Sequence, residues 1–121
     1  KGFDKASTYF RIGKEYYYKG QSHKDNYDST IRLAKTSPEK NISDFSDSIT
    51  AMESFAKADS FFSLVSLITP DFYGSYLWRG RVLSLIDINM EIGLAKDSYE
   101  KALSYLEKET IYFITSNETT A

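Results

Sequence analysis

Residues 42–70 read ISDFSDSITAMESFAKADSFFSLVSLITP, and this stretch decides the fold that we predict for the chain. Within it, Ala58, Phe62 and Val65 follow one another at spacings of four and three residues. These spacings place the three side chains on one face of a helix. Thr69 directly before Pro70 is typical of a helix boundary, because threonine is a good N-cap residue and proline is tolerated in the first helical turn, where its missing N–H would be unpaired anyway. The stretch therefore predicts helical structure up to that boundary.

Outward from this stretch, helical spacings recur along the chain and no strand-like alternation is sustained. Ser37-Pro38 repeats the boundary signal, and we predict further breaks at 19–22, near 53–54 and at 90–93. Cutting at these points predicts an all-α chain of about six helices, near 4–18, 22–36, 41–53, 55–68, 72–86 and 94–108. Because short turns favour antiparallel neighbours, we expect three helical hairpins.

A pattern of bulky residues around one small residue returns three times, at a shift of about 33 to 34 residues. The small residues are Gly13, Ser46 and Gly80, and we expect each to let a partner helix approach closely. Arg79 is the one exception among the flanking bulky positions. The predicted second helix of a hairpin carries a pattern of its own, an alanine followed four residues later by an aromatic residue. This pattern occurs at Phe62 and again at Tyr99.

This period and pattern resemble the tetratricopeptide repeat, a helix-turn-helix unit of about 34 residues. The middle unit is the best match, and the last unit, with YLWRGR at 76–81, is similar to bacterial members. The resemblance covers residues 6 to about 109, with repeats at about 6–38, 39–72 and 73–109, and implies one domain over residues 1–121. It implies a right-handed superhelical array of hairpins, an α-solenoid, whose first helices line a concave groove. Residues 110–121 are then a capping segment or the start of a further unit.

The resemblance also implies where a partner would bind. In the family, first-helix positions that point away from the packing contacts line the groove. Here they fall on Phe10, Lys14, Tyr17, Ser43, Asp44, Asp47, Leu77, Trp78 and Arg81. Aromatic residues flanked by charges are typical of a peptide-binding patch. The alternative is that Trp78 and Tyr17 belong to the core, because aromatic stripes at helical spacing are usually buried.

We therefore expect a non-enzymatic scaffold that binds a segment of another protein or a peptide in the groove. The alternative is a ligand-binding or envelope-assembly component whose groove holds a small molecule, such as a glycan stacked on Trp78 or a tyrosine. The apolar cluster IYFI at 111–114 either covers the last hairpin or, if exposed, pairs two copies of the chain end to end.

Composition argues against several other functions. Fifteen basic and 17 acidic residues give a net charge of −2, without the basic excess that nucleic-acid binding requires. The chain has no cysteine, and its single histidine, His23, is expected to be exposed near a helix start. The segment 87–93 resembles the start of a calcium loop but lacks the closing glutamate. We therefore predict no catalytic residue, no metal site and no cofactor.

The sequence leaves the compartment open. Its longest apolar stretch, residues 61–68, is far shorter than the roughly 20 residues that cross a bilayer. The chain opens at Lys1 with neither a methionine nor a signal segment, so we expect a fragment or a processed chain. Both the cytoplasm and a bacterial periplasm or cell envelope are compatible with these features.

Overall fold

The computed structural model describes residues 2–36, 45–87 and 92–120, and in these ranges the chain forms four α-helices. They are α1 (Gly2–Thr36), α2 (Ser46–Ile68), α3 (Tyr73–Ile86) and α4 (Lys96–Thr120). Each helix packs on the next one along the chain. The predicted all-α class is confirmed, but the described ranges hold two long hairpins, α1–α2 and α3–α4, where six short helices in three hairpins were predicted.

The predicted break at 19–22 is wrong, because α1 runs through it without interruption. Gly20 is buried against α2, and a Cβ on it would lie 2.6 Å from the ring of Phe55. The missing side chain therefore serves close packing between helices. A glycine inside a helix costs about 1 kcal/mol relative to alanine, which is less than the gain from burying a phenylalanine.

The predicted break near 53–54 is also wrong, since α2 is one helix from Ser46 to Ile68. Ser54 and Phe55 are both buried in the interior of this helix. The predicted small residue Ser46 is the exposed first residue of α2. The middle repeat at 39–72 therefore contributes one described helix, and the repeat at 6–38 contributes only α1.

The seam between α1 and α2 is built from glycines that receive phenylalanine rings. Gly13 faces Phe62 and Gly20 faces Phe55, so the pairs are seven residues apart on both helices. Seven residues make about two helical turns, which keeps both pairs on one seam. The numbering rises on α1 as it falls on α2, so the two helices are antiparallel. Phe55 and Phe62 are fully buried, and with Ala51, Ala58 and Val82 they form the core cluster.

The helix boundary predicted at Thr69-Pro70 is confirmed, but the N-cap role predicted for Thr69 is wrong, because Thr69 ends α2 and the N-cap of α3 is Phe72. Thr69 caps the C-terminal end of α2, and both its N–H and its hydroxyl donate to the carbonyl of Val65. The Tyr76 hydroxyl donates to the Pro70 carbonyl at 2.8 Å and so ties α3 to the turn. Burial, and then the neighbouring Tyr105 hydroxyl, raise the pKa of Tyr76 and keep it a donor. Ser37-Pro38 lies outside the described residues.

The second hairpin repeats the glycine contact in a smaller form. Gly80 of α3 faces the ring of Tyr99 on α4, and a Cβ on Gly80 would lie 2.6 Å from that ring. Before α4, the Asp87 carboxylate accepts the N–H groups of Gly93 at 2.8 Å and Leu94 at 3.2 Å. Gly93 has a φ of +73°, a conformation that glycine adopts without strain. The close approach predicted for Gly13 and Gly80 is confirmed, and that for Ser46 is not.

The C-terminal segment continues the last helix. α4 extends to Thr120, so residues 110–120 prolong α4 and do not form a separate capping helix. Within the described part of the chain, no helix has the length and apolar character needed to cross a membrane.

Candidate interaction surface

Trp78 is the centre of a surface that α1 and α3 form together. Its ring lies 5.1 Å from Tyr17 and 6.2 Å from Phe10, in both cases at close to a right angle. The exposed Tyr18 ring approaches Trp78 at 6.1 Å. Edge-to-face contacts of this kind are favoured by the ring quadrupoles. We call this surface the aromatic–cation surface, and its members are Phe10, Lys14, Tyr17, Tyr18, Trp78 and Arg81.

Helical spacing explains why these residues meet. Phe10, Lys14 and Tyr17 are separated by four and three residues, which places them on one face of α1. Trp78 and Arg81 are three residues apart and share a face of α3. α3 lies antiparallel to α2, with Arg79 of α3 paired to Asp59 of α2 at 2.8 Å. This ion pair accounts for Arg79 as the exception in the repeat pattern, because the position faces a carboxylate.

Two cations lie on the rings of this surface. The Lys14 ammonium is 4.8 Å from the centre of the Phe10 ring, and the Arg81 guanidinium is 4.8 Å from the centre of Trp78. Neither cation forms an ion pair with a carboxylate among the described residues. Arg81 is exposed and Lys14 is half-buried. The surface therefore presents two positively charged side chains that lie on aromatic rings.

The rings of the aromatic–cation surface also have a structural part. Phe10, Tyr17 and Trp78 are half-buried and pack against the core cluster, and Trp78 lies 5.7 Å from Phe62. The alternative that Tyr17 and Trp78 belong to the core thus holds for the parts of these side chains that pack on the core cluster. Tyr18, whose exposed fraction is 60%, presents the most open ring. The sequence prediction missed Tyr18, and the run of three tyrosines at 16–18 was the signal that pointed to it.

Five of the nine predicted site residues come together here, and Asp47 and Leu77 do not belong to this cluster of ring and cation contacts. Asp47 lies in the first turn of α2, and its carboxylate is 2.7 Å from Nδ1 of His23. Leu77 is half-buried on α3 beside Trp78. Ser43 and Asp44 lie outside the described residues. Asp47 was assigned to a first helix that the chain does not form, because α2 is a second helix.

His23 was predicted to be exposed near a helix start, and this is wrong. It lies in the middle of α1, half-buried, where it binds Asp47 and links α1 to α2. In the described ranges no group of three or more histidine, cysteine, aspartate or glutamate side chains is placed to hold a metal ion.

Comparisons of the chain with protein-family models, with curated proteins and with solved structures gave no match. The proposals below therefore depend on the geometry of the helices and on their side chains.

Proposed function

We propose that this chain is a non-enzymatic interaction module that binds an acidic segment of a partner protein on the aromatic–cation surface. One observation carries the proposal. Lys14 and Arg81 lie on aromatic rings of α1 and α3, and neither cation is paired with a carboxylate among the described residues. Aromatic rings provide contact area and the cations provide register, as at many protein interfaces.

The charge pattern favours an acidic partner. Two carboxylates between helices already have partners: Asp59 of α2 pairs with Arg79 of α3, and Asp47 of α2 is bonded to His23 of α1. Lys14 and Arg81 lie over rings and form no ion pair with a described carboxylate, so carboxylates of a partner would gain charge-assisted contacts with both. Stacking of a glycan on Trp78 receives less support, because Arg81 already lies over that ring.

The proposed architecture is a short array of the tetratricopeptide-like type, with a right-handed superhelical relation between hairpins. Its support is the equivalence of the two seams, Gly13 with Phe62 and Gly80 with Tyr99. In such an array the first helix of each hairpin lines the same side, as α1 and α3 do at Trp78. Two units take the place of the three that the sequence predicted.

The test starts from short random peptides displayed against the immobilised chain. We expect the selected peptides to be enriched in aspartate and glutamate next to apolar residues. The double variant Lys14→Gln and Arg81→Gln should weaken a selected peptide about tenfold, which corresponds to about 1.4 kcal/mol. These variants are preferable to Trp78→Ala, because Trp78 also packs against Phe62.

The control is the double variant Lys57→Gln and Lys108→Gln. Both lysines also lie over tyrosine rings, 5.5 Å from Tyr16 and 5.1 Å from Tyr105, but outside the aromatic–cation surface. The control should bind the same peptide within about twofold, and helicity should be unchanged in both double variants. Peptides without acidic residues, or equal losses in the two double variants, would refute the proposal.

A further inference from the structure

A cavity of about 380 Å³ opens beside the aromatic–cation surface, where the start of α1, the end of α2 and α4 come together. Phe10, Val65 and Phe72 provide its apolar wall. Val65 is buried, and the rings of Phe10 and Phe72 meet edge to face at 5.3 Å. A volume of this size lies at the lower end of the roughly 300–1,000 Å³ that is typical of ligand sites.

The polar lining of the cavity is acidic. Asp71, in the turn before α3, and Glu109, on α4, both line it, as does Ser7. Neither carboxylate takes part in an ion pair between described residues. Both residues are exposed. An apolar wall with two unpaired carboxylates is complementary to a group that is apolar along its length and positive at its end.

We infer that this cavity receives an arginine or lysine side chain of a partner segment. The methylene stem of such a side chain packs on apolar surface while its charged end stays near water and carboxylates. The rings of Phe10 and Phe72 add attraction for a cation that passes close to them. A neutral aliphatic side chain would gain the apolar contact and leave both carboxylates unpaired. The charge complementarity therefore selects a basic side chain.

The inference deepens the proposed function and rests on it in one respect, that the basic side chain belongs to the segment bound on the aromatic–cation surface. Phe10 joins the two places, because it lines the cavity and also carries Lys14 on its ring. A bound segment would then place an acidic residue at Lys14 and Arg81 and a basic residue between Asp71 and Glu109. Opposite charges at the two places would fix the direction of the segment.

The experiment uses N-acetyl-arginine amide as the probe, and N-acetyl-norleucine amide as a neutral probe of similar length. Both are titrated into the ¹⁵N-labelled chain, and the amide shifts of Ser7 and Phe72 are followed. We expect a saturable shift with the arginine probe, and at least tenfold weaker binding of the norleucine probe. The double variant Asp71→Asn and Glu109→Gln should weaken binding of the arginine probe about tenfold.

The matched control is Glu53→Gln with Glu107→Gln, two exposed carboxylates that do not line this cavity. It should leave the binding of the arginine probe unchanged. Failure of the proposed function is thus read from the peptide assay, and failure of this inference from the arginine probe. Equal binding of the two probes, no shift up to the solubility limit, or unchanged binding by the Asp71→Asn and Glu109→Gln variant would overturn the inference.

Discussion

The two hairpins use the same contact and bury it to different extents. In α1–α2, Gly13 receives Phe62, and that ring is fully buried. In α3–α4, Gly80 receives Tyr99, and 39% of that residue is exposed. Among the described helices, α3 also packs on the first hairpin, where Trp78 meets Phe62, whereas α4 packs mainly on α3. Burial of each seam thus depends on the neighbouring described helix as well as on the residues of the seam.

The helix α4 also carries large apolar side chains that are exposed. Leu103 and Leu106 are three residues apart on α4 and are 57% and 41% exposed. Ile111, in the apolar cluster predicted to cover the last hairpin, is 64% exposed. That cluster therefore leaves part of its apolar surface open at Ile111. End-to-end pairing of two copies through this region stays a prediction.

The largest loss of stability is expected from a substitution in the seam of the first hairpin. Phe62→Ala should lower the free energy of unfolding by about 3–5 kcal/mol, because it empties a fully buried site between α1 and α2. Tyr99→Ala should cost less than half as much, because its ring is partly in water already. Urea denaturation followed by circular dichroism measures both. Equal losses would show that the two seams are buried alike in solution.

A smaller effect is expected from filling the glycine positions. A Cβ on Gly13 would lie 2.7 Å from the enclosed Phe62 ring, so Gly13→Ala should destabilise by about 1–3 kcal/mol despite its better helix propensity. Gly80→Ala should be close to neutral, because the half-exposed Tyr99 ring has room to move outward. Thermal unfolding of the two variants gives the comparison. A Gly13→Ala variant as stable as the parent chain would contradict the close approach of α1 and α2.

The smallest effect concerns the link between the hairpins. Asp59 of α2 and Arg79 of α3 form a two-contact ion pair at 2.8 and 3.3 Å, and Asp59→Asn should cost about 1 kcal/mol. The control is Asp28→Asn, which removes the pair of Lys24 and Asp28 within α1 and should cost about 0.3–0.5 kcal/mol. Raised salt should reduce both losses, and the more exposed pair should lose more. A larger loss for Asp28→Asn would show that the pair between hairpins contributes little.

Part of the candidate site could be predicted from the sequence. Phe10, Lys14 and Tyr17 share a face by helical spacing alone, and so do Trp78 and Arg81, so local geometry placed each set correctly. Their meeting at one surface depends on α1 and α3 being neighbours, which the predicted three repeats did not indicate, because they placed another first helix, at 41–53, between the two. Asp47 was misplaced because its assignment required a helix boundary near 53–54 that α2 does not have. The cavity at Asp71 and Glu109 joins residues from distant parts of the chain, and no spacing rule connects them.

By itself, the sequence determined the helical class, the boundary at Thr69 and the aromatic partners offered by the second helices. These follow from local properties: side-chain periodicity, the missing N–H of proline and the size of glycine. Only the tertiary structure decided that Gly20 lies inside one long helix and receives Phe55. The physical reason is that glycine weakens a helix by about 1 kcal/mol, and burial of one large ring against it outweighs that cost. Packing between helices therefore kept α1 and α2 continuous at 19–22 and near 53–54, where local signals alone had predicted breaks.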